Sequence, residues 1–110
     1  MRLIDGTGSA PAENTDILAE NGIIQKIGVV TLEEKNGAEV IDLTGKTVLP
    51  GFIDCHTHIT FDATPQCLQN AAALSDSENT IESAANLQKI LSDGVVFIRE
   101  MGCKNAINIF

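Results

Sequence analysis

Two short apolar runs separated by helix-forming sequence constrain the fold of this chain more than any other feature. Residues 47–59 and 94–99 are nearly continuous apolar runs bounded by Gly or Pro. Such runs are typical of strands that are buried on both faces of a parallel sheet. With a helix between them, they predict a right-handed strand–helix–strand crossover over residues 51–99.

The connection between the two runs contains the clearest helical pattern. Asn79 and Glu82 have the spacing of a capping box and predict the start of a helix, and Asp93-Gly94 predicts its end. One helical stripe between these limits is formed by Ile81, Ala84, Ala85, Gln88 and Leu91. A shorter helix is predicted over residues 65–74, after a loop at residues 61–65 that either lines a substrate pocket or is an ordinary surface loop.

The first 48 residues have the pattern of short antiparallel strands punctuated by turns. Asn21-Gly22, with apolar residues on either side, predicts a β-hairpin over residues 17–24. A further short strand is predicted over residues 39–43, followed by a turn at residues 44–46.

His56 and His58 are the two histidines of the chain, and they lie two residues apart on the first apolar run. Period-two alternation places both imidazoles on one face of a strand, together with the carboxylate of Asp54. Two neutral imidazoles at the end of a buried strand can chelate one divalent metal ion. For a bare His-x-His pair, however, two histidines satisfied by core hydrogen bonds are the simpler interpretation. Asp54 is then either close to the metal or a residue at the end of the strand.

The wider context of this pair changes the interpretation. Residues 40–58, which include Pro50-Gly51-Phe52-Ile53-Asp54-Cys55-His56-Thr57-His58, closely resemble the entry to the barrel in the metal-dependent amidohydrolase superfamily. Residues 3–8, 16–28 and 94–102 are similar to segments of its imidazolonepropionase and Xaa-Pro dipeptidase-like branch. The chain departs from that branch at Val96-Phe97, at Glu100, where Asp is usual, and at Cys103, where Gly is common.

The resemblance implies an α/β fold in which a small β-sandwich precedes a TIM-like (β/α)8 barrel. Residues 1–48 are then part of the sandwich, and residues 49–110 form the first two barrel strands with their helices. Since a closed barrel needs roughly 250 residues, the chain is expected to hold an incomplete barrel. It is also expected to be inactive alone, because the superfamily draws its other metal ligands from later strands. Lys89 and Lys104 lie on the wrong elements to replace the bridging lysine.

In function, the resemblance implies a hydrolase that cleaves C–N bonds of a small amide, cyclic amide or dipeptide with a metal-activated water. His56 and His58 would bind a divalent ion, with zinc preferred, and no residue of the chain is assigned to the catalytic acid or base. Arg99, at the end of the second run, either lies near the substrate or pairs with Glu100 or another carboxylate. Asp54 is the second candidate near the substrate. The alternatives are a non-catalytic remnant and a small metal-binding or interaction module, with Cys67 or Cys103 as a less favoured third ligand.

Charge and composition limit the partners. Fifteen acidic against seven basic residues give a net charge of −8, and the chain lacks Trp and Tyr, so nucleic acid is disfavoured. No window approaches the ~20 apolar residues of a membrane helix. The N-terminus has no signal-peptide pattern, and three cysteines without C-x-x-C spacing suit reduced thiols, so a cytoplasmic location is expected. Unpaired apolar strand edges predict self-association.

Overall fold

The strands and helices fall into two separate units along the chain, Met1–Pro50 and Gly51–Phe110. The structure, a computed structural model, describes residues 1–106, so positions 107–110 of the predicted barrel domain lie outside the described residues. Strands and two α-helices together make the chain an α/β protein. That the first unit is part of a sandwich and the second part of a barrel stays a prediction.

The first unit consists of two separate two-stranded sheets. Its strands are β1 (Arg2–Leu3), β2 (Asp16–Glu20), β3 (Ile23–Gly28) and β4 (Thr47–Val48). Strands β2 and β3 pair antiparallel with Glu20 opposite Ile23. Between them Asn21 and Gly22 both have positive φ, 52° and 76°, as a type I′ turn requires. The predicted hairpin is therefore confirmed.

Two expectations for the first unit are wrong. Strands β1 and β4 pair in parallel, with Leu3 opposite Val48, so the region is not purely antiparallel. The predicted strand over residues 39–43 is not formed, and Val40 and Ile41 are 67% and 72% exposed. A short apolar run becomes a strand only when a neighbour accepts its backbone hydrogen bonds, and among residues 1–106 this segment has no strand partner. The turn that follows is confirmed, with Lys46 N donating to Leu43 O at 3.0 Å.

The second unit is built on two parallel strands, β5 (Phe52–Thr57) and β6 (Val95–Glu100). Helices α1 (Cys67–Ala73) and α2 (Asp76–Ser92) lie between them in the chain, and a 3₁₀ turn at Lys104–Ala106 follows β6. The predicted order of strand, helix and strand is confirmed. Gly51 precedes β5 where the strands approach closely, because a Cβ atom there would lie 2.4 Å from Cγ2 of Val96.

The prediction that both strands are buried on both faces is wrong for the described residues. Phe52, Ile53 and Phe97 are 56%, 64% and 62% exposed. Two strands covered by helices from one connection provide too few neighbours to enclose both faces of a sheet. No helix within residues 1–106 is both long and apolar enough to cross a membrane.

The N-cap of helix α2 lies four residues before the N-cap that the sequence predicts, Asn79. Ser75 is the N-cap, and its hydroxyl and the Glu78 carboxylate form the reciprocal capping box. Asn79 instead lies inside the helix, 0% exposed, with Nδ2 donating to Ala71 O of α1 at 3.0 Å. The predicted stripe is largely exposed, as Ile81 at 71% shows, because α2 turns the face of Asn79 inward. The predicted end is confirmed, since Gly94 takes φ 90°.

Candidate metal centre

The His56 and His58 imidazoles lie side by side at the carboxyl end of β5. His56 belongs to the strand, and His58 comes one residue after its last residue, Thr57. The two ring centroids are 5.3 Å apart, with an angle of 67° between the ring planes. The structure therefore brings together the two side chains that the sequence pairs, and their role as metal ligands stays a prediction.

Contacts from two segments of the second unit hold the His58 ring. Its Nδ1 lies 2.9 Å from the carbonyl oxygen of Gly102, two residues after β6. The Phe61 ring stacks on it, with centroids 5.0 Å apart and an interplanar angle of 26°. A carbonyl oxygen can only accept, so Nδ1 must carry the hydrogen. In a neutral imidazole this leaves the Nε2 lone pair available to a metal ion.

Glu100, the last residue of β6, contributes a carboxylate to the same site. Oε2 accepts from Ile59 N at 2.8 Å, and Oε1 accepts from Gly102 N at 2.8 Å. Oε1 also lies 3.7 Å from His58 Nδ1, and the Glu100 side chain is only 10% exposed. The sequence pattern identifies Glu100 only as a departure from the family and as a partner for Arg99. Its position at the end of a strand parallel to β5 was the signal that could have found it.

Asp54 and Arg99 lie near the histidines in the chain, but neither side chain has a described contact with an imidazole ring. Asp54 Oδ1 accepts from the backbone N of His56 at 3.0 Å. Arg99 is exposed, and its carbonyl oxygen accepts from the Thr57 hydroxyl at 3.2 Å. Glu100, the predicted partner for the Arg99 guanidinium, uses its oxygens on other groups. A location near the substrate stays a prediction for both residues.

The loop after β5 is ordered by hydrogen bonds to the Asp62 carboxylate from the loop itself and from α1. Asp62 accepts hydrogen bonds from Asn70 Nδ2 at 2.7 Å and from the hydroxyl and backbone N of Thr64 at 2.7 and 3.0 Å. The bond from Asn70, followed by those from Thr64, lowers the pKa of the Asp62 carboxyl group. These bonds fix the segment just after Phe61 and so support the ring that stacks on His58.

An open, largely apolar groove of about 640 Å³ adjoins the His58 ring. Leu68 and Ala71 of α1 form one wall, and the segment after β6 forms another. The groove has the size of a small-molecule site. Its lining residues are His58, Phe61, Leu68, Ala71, Ala72, Gly102, Cys103 and Lys104.

The donor set fits part of a metal centre. Two neighbouring imidazoles, one of them with its Nε2 left available, are nitrogen ligands of the kind that divalent zinc binds. Among residues 1–106, no group of three or more His, Cys, Asp or Glu side chains is close enough to hold an ion. Lys104 also does not act as a bridging ligand, because its ammonium donates to Ala71 O and Ala72 O at 3.3 Å and to Leu74 O.

Comparisons with known proteins agree with the resemblance found in the sequence. The amidohydrolase family model matches residues 39–91. A dihydropyrimidinase of Dictyostelium discoideum is 52% identical over 69 residues, covering 53% of this chain and 14% of the relative. An imidazolonepropionase of Clostridium tetani is 40% identical over 53 residues, covering 44% and 13%. A dihydroorotase of Pelotomaculum thermopropionicum is 31% identical over 104 residues, covering 89% and 24%.

These relatives carry several different enzyme names, so the similarity supports the superfamily and does not select the imidazolonepropionase branch. The chain spans between 9% and 24% of the length of the relatives it matches. No solved structure gives a significant match.

Proposed function

Because residues 39–91 match the amidohydrolase family model, we propose that this chain supplies two metal ligands, His56 and His58, of a hydrolase that cleaves C–N bonds. The observation that carries the proposal is the fixed ring of His58. Its Nδ1 hydrogen is bound to Gly102 O at 2.9 Å, which leaves Nε2 free to bind, with the His56 ring 5.3 Å away. Ligand histidines in metalloproteins have this kind of supporting hydrogen bond.

Amidohydrolases generally use divalent metals, and two imidazoles favour zinc here. When bound, such an ion lowers the pKa of a coordinated water so that hydroxide is available near neutral pH. His56 and His58 would hold it through ring nitrogens, and Phe61 would keep the His58 ring in place. The groove beside His58 would take a small amide, cyclic amide or dipeptide substrate. Asp54 and Arg99 remain candidates near the substrate because functional groups gather at the carboxyl ends of barrel strands.

A metal-binding module without hydrolytic activity is the second candidate. It is favoured by one observation, that the described residues group only two ligands at this site, whereas catalytic zinc takes three protein ligands. The two candidates share the histidine pair and differ in whether hydrolysis follows metal binding.

Calorimetric titration of the full chain with zinc tests the shared part. We expect one zinc ion per chain, and a His56→Ala, His58→Ala double variant should bind at least tenfold more weakly. Cys55→Ser is the matched control, because it removes a neighbouring metal-binding side chain from the same strand and should leave the zinc affinity unchanged. Unaltered zinc binding by the double variant would overturn the assignment of both ligands.

A hydrolysis assay on a panel of amides, cyclic amides and dipeptides separates the two candidates when it is run on the zinc-loaded chain and on a longer chain that includes the later barrel strands. Hydrolysis by the longer chain that the double variant loses supports the enzyme, whereas stoichiometric zinc binding without hydrolysis by either chain favours the module.

We also propose that the chain associates with itself through the second unit. The support is the exposure of large apolar side chains on the parallel strands, among them Phe52, Ile53 and Phe97 at 56%, 64% and 62%. Exposed apolar strands with unpaired backbone groups favour pairing with another chain.

A further inference from the structure

We propose that Glu100 is a positioning residue that fixes the orientation and tautomer of His58 for metal binding. The inference rests on the proposed function, since it takes His58 as a ligand. It concerns a residue to which neither the sequence pattern nor the resemblance assigns a role at the site.

The first step of the argument is the place of the carboxylate between two chain segments. Ile59 lies two residues after β5, and Gly102 lies two residues after β6. Oε2 of Glu100 accepts a hydrogen bond from Ile59 N, and Oε1 accepts one from Gly102 N, both at 2.8 Å. The carboxylate therefore ties together the segments that follow the two parallel strands. His58 is adjacent to Ile59, so its backbone position depends on the same tie.

The second step is the link from Gly102 to the imidazole. With Gly102 N held by Oε1 of Glu100, the carbonyl oxygen of the same residue accepts from His58 Nδ1 at 2.9 Å. Oε1 of Glu100 itself lies 3.7 Å from His58 Nδ1. Both oxygens favour a hydrogen on Nδ1 over one on Nε2. Glu100 thus acts on His58 directly by its charge and indirectly through Gly102.

The third step is burial. The Glu100 side chain is 10% exposed, so water competes little for its oxygens. Hydrogen bonds from backbone N–H groups to a carboxylate are stronger than those between neutral groups. Loss of the carboxylate would leave two N–H groups without their partner and release both segments that border the imidazole.

Nitrogen NMR of the metal-free full chain tests the proposal. Long-range ¹H–¹⁵N correlation spectra distinguish the two neutral tautomers, and His58 of the wild type should have its hydrogen on Nδ1. In Glu100→Ala we expect a shift towards the Nε2–H form and a zinc affinity 10 to 100 times weaker, the usual effect of losing a supporting partner of a ligand. Glu100→Asp keeps both acceptor oxygens and should retain the wild-type tautomer.

Glu100→Gln decides the matter if the alanine variant fails to fold. It keeps the shape but only one acceptor oxygen, so its tautomer ratio and zinc affinity should lie between those of the wild type and alanine variant. Glu39→Ala, which removes an exposed carboxylate from the first unit, is the control and should leave both readings unchanged.

An unchanged His58 tautomer in the alanine variant, or in the glutamine variant where the alanine variant does not fold, would overturn the proposal. A wild-type chain that binds no zinc would overturn the proposed function instead, and the tautomer spectra would still decide the role of Glu100.

Discussion

Replacing Asn79 by Leu is expected to leave the second unit as stable as the wild type or more so, although it removes a buried hydrogen bond. Asn79 is 0% exposed, and Nδ2 donates to Ala71 O at 3.0 Å. Its Oδ1 is buried without a hydrogen-bond partner among the described residues. Ala71 O keeps a second donor, Lys104 Nζ at 3.3 Å, when the amide is removed. The leucine side chain has the same number and branching of heavy atoms.

The magnitudes favour leucine. A buried polar atom without a partner costs about 1–3 kcal/mol, whereas a net hydrogen bond contributes about 0.5–1.5 kcal/mol. The difference predicts a gain of about 1 kcal/mol for Asn79→Leu. Asn79→Ala removes the same two polar groups but leaves a cavity, and a buried Leu-to-Ala truncation costs about 2–5 kcal/mol. The two variants should therefore differ by about that amount, with alanine the less stable.

Urea denaturation followed by far-UV circular dichroism is the appropriate measurement. Both α-helices of residues 1–106 lie in the second unit, so the helical signal reports on that unit, and the chain has no Trp or Tyr for fluorescence. The slope of unfolding free energy against urea concentration should be the same in the wild type and both Asn79 variants. Differences between their midpoints then report differences in stability. An Asn79→Leu variant less stable than the wild type by more than about 1 kcal/mol would refute the reasoning, because Oδ1 must then have a partner.

Two further predictions concern charge and the exposed sheet. The Lys26 ammonium, followed by the Thr31 backbone N–H, lowers the pKa of Glu34 from 4.5 to about 2. Since this folded-state pKa lies below that of the unfolded chain, the stabilisation is complete above about pH 4.5 and is lost as the pH falls towards 2. Between pH 2 and 6 the melting temperature of Glu34→Gln should depend less on pH than that of the wild type. Equal slopes of melting temperature against pH in the two proteins would contradict this. In sedimentation velocity at micromolar concentration the wild type should associate and Phe97→Glu should shift towards monomer, whereas a monomeric wild type would rule out the association.

Local chemistry allowed several elements to be predicted correctly from the sequence. Asn21-Gly22 predicts the hairpin because both positions adopt positive φ readily, and Gly94 ends α2 for the same reason. Ser75 and Glu78 form the capping box of α2, whereas the spacing of Asn79 and Glu82 predicts it four residues later. The pair of histidines is equally local, because alternation along one strand places both side chains on one face.

Tertiary structure decided what depends on partners distant in the chain. Apolar content suggested a strand over residues 39–43 and burial of β5 and β6, but a strand requires a hydrogen-bonding neighbour and burial requires a covering layer. Neither is encoded by the run itself. Glu100 reaches Ile59 across 41 residues, and His58 reaches Gly102 across 44.

The sequence by itself therefore determined the amidohydrolase resemblance, the parallel pair of strands with helices between them, and the position of the two histidines. Only the tertiary structure decided which nitrogen of His58 carries its hydrogen, because that depends on the carbonyl oxygen of Gly102, in the segment that follows the other strand. Periodicity specifies which side chains share a face of one element. The hydrogen bonds that orient them come from a second element, whose register is fixed by folding.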